Sequence, residues 1–182
     1  MEELFDLCDE NGNLLGVTET RSRVHAQGLW HKSAQVWILD SQNRLLLQRR
    51  DPSKQTDPGK WDISVAGHVS AGQSVLEAAL RETHEELGLV LSPSELVMVF
   101  SVRREYLQPE TGFLDREIHH NFLCRRDVNL SELVLQPGEV VEVAWQDLRA
   151  FQLRVEGDDP TLVGRPREYT QMFSFLGLPP VN

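Results

Sequence analysis

The sequence predicts an α+β fold: a mixed β-sheet sandwiched by helices, with an N-terminal β-hairpin. Three observations predict it. Short apolar runs bounded by turn residues recur along the chain, and one segment changes to helical apolar spacing. The 182 residues also hold no repeat, low-complexity tract or long linker. A chain of this length with 40% apolar residues can bury a sizeable core, so residues 1–182 are expected to form one domain.

Phe5 to Leu7 and Leu14 to Val17 flank the turn cluster Asp9-Glu10-Asn11-Gly12-Asn13 and form the first hairpin. Val36 to Leu39 and Leu45 to Leu47 flank Ser41-Gln42-Asn43, a second hairpin of buried-strand character. Pro52, Pro58 and Gly59 mark an irregular loop before a short strand at Trp61 to Val65. From Ser74 to Leu87 the pattern is helical, with Ser74 as N-cap and Gly88 as the stop. Later strands are expected at Leu96 to Val102, Glu117 to Cys124 and Val140 to Trp145. Pro166 opens a final helix through Tyr169, Met172 and Phe175.

With 18 basic and 28 acidic residues the formal net charge is −10, which argues against binding nucleic-acid polymers. The acidity is uneven. Residues 1–20 hold six acidic and no basic residues, whereas Arg44 to Lys60 holds five basic and two acidic. Apolar runs such as Val97-Met98-Val99-Phe100 are too short to cross a membrane, and the acidic N-terminus is unlike a secretory signal. With only Cys8 and Cys124, no disulfide framework is expected, and the cytoplasm is the expected compartment.

The expected helix carries the chemistry. Leu76, Ala79, Leu80, Thr83 and Leu87 fall on one stripe that should meet the sheet. Glu82, Glu85 and Glu86 share another face at i, i+3 and i+4, where like charges repel. They also sit near the helix C-terminus, whose dipole disfavours anions. A cation would offset both penalties, and carboxylate oxygens suit Mg²⁺ or Mn²⁺. The alternative is a solvated acidic face with an ordinary Arg81–Glu85 surface pair.

The surrounding residues favour the cation. Gly67-His68-Val69-Ser70-Ala71-Gly72-Gln73, followed by Arg81-Glu82-Thr83-His84-Glu85-Glu86-Leu87-Gly88-Leu89, resembles the Nudix box. The resemblance implies the Nudix fold. It also implies Glu82, Glu85 and Glu86 as metal ligands, with the Gly67 carbonyl as a further one. Gln73 stands where the family has Glu, and Thr83 where it has a larger hydrophobe. Family members use that Glu mainly to orient the box arginine. Gln73 retains an acceptor for Arg81, and Glu77 lies one turn away.

A wider stretch, about residues 4 to 145, is similar to isopentenyl-diphosphate isomerase, itself a Nudix-fold enzyme. The likeness rests on Arg44-Leu45-Leu46-Leu47-Gln48-Arg49-Arg50, Ser53-Lys54, Pro58-Gly59, Trp61 and Ser64-Val65-Ala66-Gly67-His68. It implies a second metal set of His25, His31, His68, Asp115 and Glu117, with a one-residue gap before His31. It also implies diphosphate contacts from Arg50, Lys54 and Arg81. Trp61 is expected in the core, and His84, His119 and His120 receive no role. Ala66 stands where the isomerase has its catalytic Cys, and a methyl group cannot move a proton.

These readings converge on a metal-dependent diphosphatase in which water attacks a phosphorus of a small-molecule diphosphate. Glu85, Glu86, Glu117 and Glu139 are candidate bases. The alternatives are an isomerase and a non-catalytic diphosphate-binding module. The resemblance also admits a homodimer, since many members pair through the sheet or N-terminal hairpin.

Overall fold

The computed structural model describes residues 2–108 and 113–180. β1 (Leu4–Cys8) and β2 (Leu14–Thr20) form the expected hairpin as a separate two-stranded sheet, followed by α1 (Arg21–Gln27). The main sheet is mixed and seven-stranded. Its strands are β3 (Trp30–Leu39), β4 (Arg44–Arg50), β5 (Trp61–Asp62), β6 (Val65–His68), β7 (Leu96–Gln108), β8 (Phe113–Arg125) and β9 (Val140–Asp147). The helices α2 (Val75–Leu87), α3 (Leu148–Glu156) and α4 (Pro166–Phe175) pack against it. No helix among the described residues is long and apolar enough to cross a membrane.

Alternation along β3 explains the layers. Ala34, Val36 and Ile38 point to one face, where they join Leu46, Val65, Ala78, Ala79 and Leu87 beneath α2. Trp37 and Leu39 point to the other, among Leu45, Leu47, Phe151, Tyr169 and Met172 beneath α3 and α4. Earlier on this second face the pattern turns polar: His31, Ser33 and Gln35 are all buried. One strand face thus serves as core at one end and as a site at the other.

The expected second hairpin forms, but β3 and β4 pair only at Leu39↔Leu45 and then diverge. The strand expected over Trp61 to Val65 is correspondingly split. β5 pairs with β4, and β6 pairs with β3. Ser64, between them, bridges the fork: its Oγ donates to the Leu46 carbonyl (2.6 Å) and accepts from the Ile38 amide (2.8 Å). On the far side β3 runs parallel to β8, placing His31 opposite Glu117.

α2 begins and ends as its sequence dictates. Ser74 and Glu77 form a reciprocal capping box, and Gly88 closes the helix at φ 66°. Ala79, Thr83 and Leu87 are buried, with Leu76 and Leu80 packed at the margin. Thr83 is tolerated there because its hydroxyl donates to the Ala79 carbonyl (2.7 Å).

The C-terminal segment docks on β5. Trp61 exchanges backbone bonds with Thr161 and Val163, and its ring packs at the edge of the second core cluster. Arg165, 4% exposed, grips buried Asp62 in bidentate fashion at 2.7 and 2.8 Å. Burial alone would raise the Asp62 pKa, but the Arg165 charge and hydrogen bonds bring it down to about 2. Its contribution is therefore complete above the ordinary value of 3.8 and is lost as pH falls towards 2. Thermal melting across this range should show wild-type stability dropping, with a shallower slope in Asp62→Asn. At neutral pH Arg165→Ala, which leaves Asp62 without its bidentate partner, should cost about 3–5 kcal/mol in urea titrations.

Candidate active site

A cleft of about 560 Å³ opens at the fork and brings together α2, β3, β6, β8 and the loops around residues 53–56 and 136–139. Glu82, Glu85 and Glu86 all line it, but not equivalently. Glu82 lies against Gly67, where an added Cβ would sit 2.0 Å from its Cδ. Glu86 is 4% exposed, and its Oε2 accepts from Gln48 Nε2 at 2.8 Å. Burial raises the Glu82 pKa to about 7 against the pull of Arg81, with Glu85 adding to the rise. Burial and the Glu82 charge raise Glu86 to about 8.

Glu85 is exposed and forms the ordinary pair the sequence had offered as an alternative, with Arg81 Nη1 at 2.7 Å. Arg81 also reaches Glu82 Oε1 (3.0 Å), the His68 carbonyl (2.8 Å) and Gln73 Oε1 (3.2 Å). Gln73 thus supplies the acceptor expected of it. Glu77 is instead engaged in capping α2.

His25, His31, His68, Asp115 and Glu117 do come together, from α1, β3, β6 and β8. The three histidines offer nitrogens within 4.8 Å of one another, and His31, Asp115 and Glu117 form a second such group. His31 Nδ1 donates to the Leu29 carbonyl at 3.0 Å, and its Nε2 points inward, 3.4 Å from Glu117 Oε1. That Nε2 and Asp115 Oδ1, 3.8 Å apart, are buried without hydrogen-bond partners. Nitrogen and oxygen donors left unmet in this way fit a divalent cation. Burial, with His68 and His31 adding to it, lowers the His25 pKa to about 4. Burial and the Glu117 charge raise Asp115 to about 7. Phe5 stacks on His31 and His68 at centroid distances of 5.0 and 4.8 Å, so the N-terminal hairpin covers the group.

Glu117 is the most heavily engaged of the five. Its Oε1 lies 3.0 Å from His68 Nε2, while its Oε2 accepts from Ser33 Oγ (3.3 Å) and His119 Nε2 (2.5 Å). Burial would raise its pKa, but His119, His31 and His68 hold it well below the ordinary range. His119, to which the sequence gave no role, therefore touches the site. Its Nδ1 reaches Glu168 Oε1 of α4 at 2.7 Å. Period-two alternation placed His119 on the Glu117 face, but nothing local announced Glu168. His120 points the opposite way, to Ser101 Oγ.

Arg50, Lys54 and Arg81 line the cleft as expected. Arg50 is anchored on the Thr56 carbonyl (3.0 and 3.2 Å), and Lys54 pairs with Glu139. Gln48, Ser33 and Gln35 also contribute and were not anticipated, since an isolated Gln or Ser carries no motif. Ala66 faces the cleft, whereas Cys8 and Cys124 are buried elsewhere, where burial pushes both thiols up to about 11.

The NUDIX domain family model matches residues 29–164. Nudix hydrolase 3 of Arabidopsis thaliana is 33% identical over 180 residues, 96% of this chain, which spans only 23% of that protein's length. A protein named isopentenyl-diphosphate Delta-isomerase from Streptomyces griseus is 40% identical over 144 residues, 78% of this chain and 70% of the relative. The solved structure of DR0079 from Deinococcus radiodurans superposes with a TM-score of 0.71 at 22% identity, covering 93% of this chain and 98% of that one. The family-model match over residues 29–164, together with these relatives, shows that the chain belongs to the Nudix family.

Proposed function

We propose that the chain is a metal-dependent hydrolase of a nucleoside diphosphate derivative or another X-diphosphate, with Mg²⁺ or Mn²⁺ as its metal. The observation that carries this is the pair Glu82 and Glu86. Both face the cleft, and burial pushes them to about 7 and 8, a condition that a bound cation would relieve. Glu82, Glu86 and the Gly67 carbonyl would hold metal at the box, with Glu85 at its solvent edge. His25, His31, His68, Asp115 and Glu117 would hold it on the other side of the cleft. Metal bound there would polarise the diphosphate and acidify a water.

The chain's own groups do the rest. Arg50, Lys54 and Arg81 bind the phosphoryl oxygens, Arg in forked geometry and Lys as a point charge. Lys54 must exchange Glu139 for substrate, so that pair tunes affinity. Glu85, Glu86 and Glu117 are the candidate bases. Glu117 is buried at the cleft with both carboxylate oxygens already facing His119, Ser33, His31 and His68, an arrangement that suits holding a cation more than taking a proton from water. A small-molecule diphosphate is the substrate class that suits a cleft of about 560 Å³ whose lining offers Arg50, Lys54 and Arg81 to phosphoryl oxygens. A cytoplasmic location fits two thiols left unpaired.

Isomerisation is the second reading, favoured by the isomerase-named relative. Two features oppose it. The Ala66 methyl offers no proton, and a prenyl tail would find little apolar surface in a cleft where, among the described residues, Ala66 and Phe113 are the apolar side chains.

Phosphate release should be assayed over nucleotides, nucleotide sugars and prenyl diphosphates. EDTA should abolish it, and Glu86→Gln should lower kcat by about 100-fold or more, as loss of metal-borne charge stabilisation predicts. Proton exchange into isopentenyl diphosphate without phosphate release would overturn the reading, and ligand binding without turnover would point to a binding module. Gly67→Ala gives an orthogonal check. The new methyl must push Glu82 aside from Cγ outwards, so kcat should fall, and the melting temperature should fall with it to the extent that α2 gives way.

A further inference from the structure

We propose that Glu168 and His119 are positioning residues that fix Glu117 for cation binding, so that the C-terminal helix α4 is part of the site. The inference rests on the metal-dependent reading above and extends it beyond the family match, which ends at residue 164. Three buried side chains form an unbroken line: Glu168 at 2%, His119 at 0% and Glu117 at 7% exposure. Glu168 Oε1 lies 2.7 Å from His119 Nδ1, and His119 Nε2 lies 2.5 Å from Glu117 Oε2. A carboxylate faces each ring nitrogen, and Arg165 Nη1 lies 3.4 Å from Nδ1, so the ring is held from both ends. Glu117 Oε2 is thereby taken up, together with Ser33, and Oε1 is turned towards His31 and His68.

The line is itself anchored. Arg165, the residue before α4, is held by Asp62 of β5 and places its Nη1 3.9 Å from Glu168. A ligating carboxylate whose second oxygen is fixed by a hydrogen-bonded partner keeps its orientation when the metal leaves, and losing such a partner typically costs 10–100-fold in metal affinity. A purely structural Glu168–His119 pair would instead show itself in stability alone.

Mn²⁺ binding to the metal-free protein, followed by electron paramagnetic resonance well below the melting temperature, separates these cases. His31→Gln serves as the reference for binding at the histidine group. We expect Glu168→Ala and His119→Ala to weaken the class of sites that His31→Gln removes, by about 10–100-fold. Glu168→Gln, which keeps an oxygen acceptor for His119, should recover much of that affinity. Melting curves report whether each variant is folded, and His119→Gln, expected to weaken the same sites about 10–100-fold, keeps the test open if the alanine variants are not. Wild-type Mn²⁺ affinity in folded Glu168→Ala, or in folded His119→Gln, would overturn the positioning role alone. Unchanged uptake in His31→Gln would overturn it along with the histidine-group reading, while phosphate release through the box glutamates would still be tested separately.

Discussion

Two strands that part after a single paired position create the cleft. Once β3 and β4 diverge, each has a row of backbone donors and acceptors to satisfy, and a buried unpaired group is costly. β5 and β6 meet that demand as two short pieces of one segment, and the Ser64 hydroxyl closes the gap between them. The solution fixes Gly67 beneath α2 and His68 beside Ser33. Box glutamates and histidine group therefore owe their proximity to backbone hydrogen bonding.

Electrostatics at the cleft is a balance struck at short range. The net charge of −10 resides largely in the N-terminal hairpin and in residues 127–160, which hold eight acidic and two basic residues. Within the cleft, most cations already face carboxylates: Arg81 with Glu85, Lys54 with Glu139, Arg165 with Asp62. The diphosphate proposed to enter this space would exchange partners. That arrangement favours selectivity over tight binding, because each phosphate contact must displace an existing one.

What was legible in the sequence was local. Ser74, Gly88 and the box spacing announce α2 because capping and periodicity act within one turn. The inequality of the three box glutamates was harder to read. At about 100° per residue, Glu86 lies about 40° from Glu82 on one side and Glu85 about 60° on the other. The cleft runs deepest on the Glu82–Glu86 side, which leaves Glu85 at its exposed edge beside Arg81. The five-residue histidine and acid group was legible only through family resemblance, as its members come from four elements. Glu168 was invisible because α4 meets β8 through docking that no local pattern encodes. The split at Ser64 was missed for a similar reason, since it depends on where two other strands separate.

The parallel pairing of β3 with β8 has a kinetic side. His31 and Glu117 become neighbours only when most of the chain between them has been arranged, and such long-range closure is slow. The hairpin carrying Phe5 and the helix carrying Glu82 form from nearby residues and are free to appear early. The nascent chain would therefore acquire the proposed ligands one by one well before it acquired a chelate, and a cation would find little preorganised to seize until the central sheet had closed. Metal would then act as a late lock on a finished fold, slowing its opening more than it hastens its assembly.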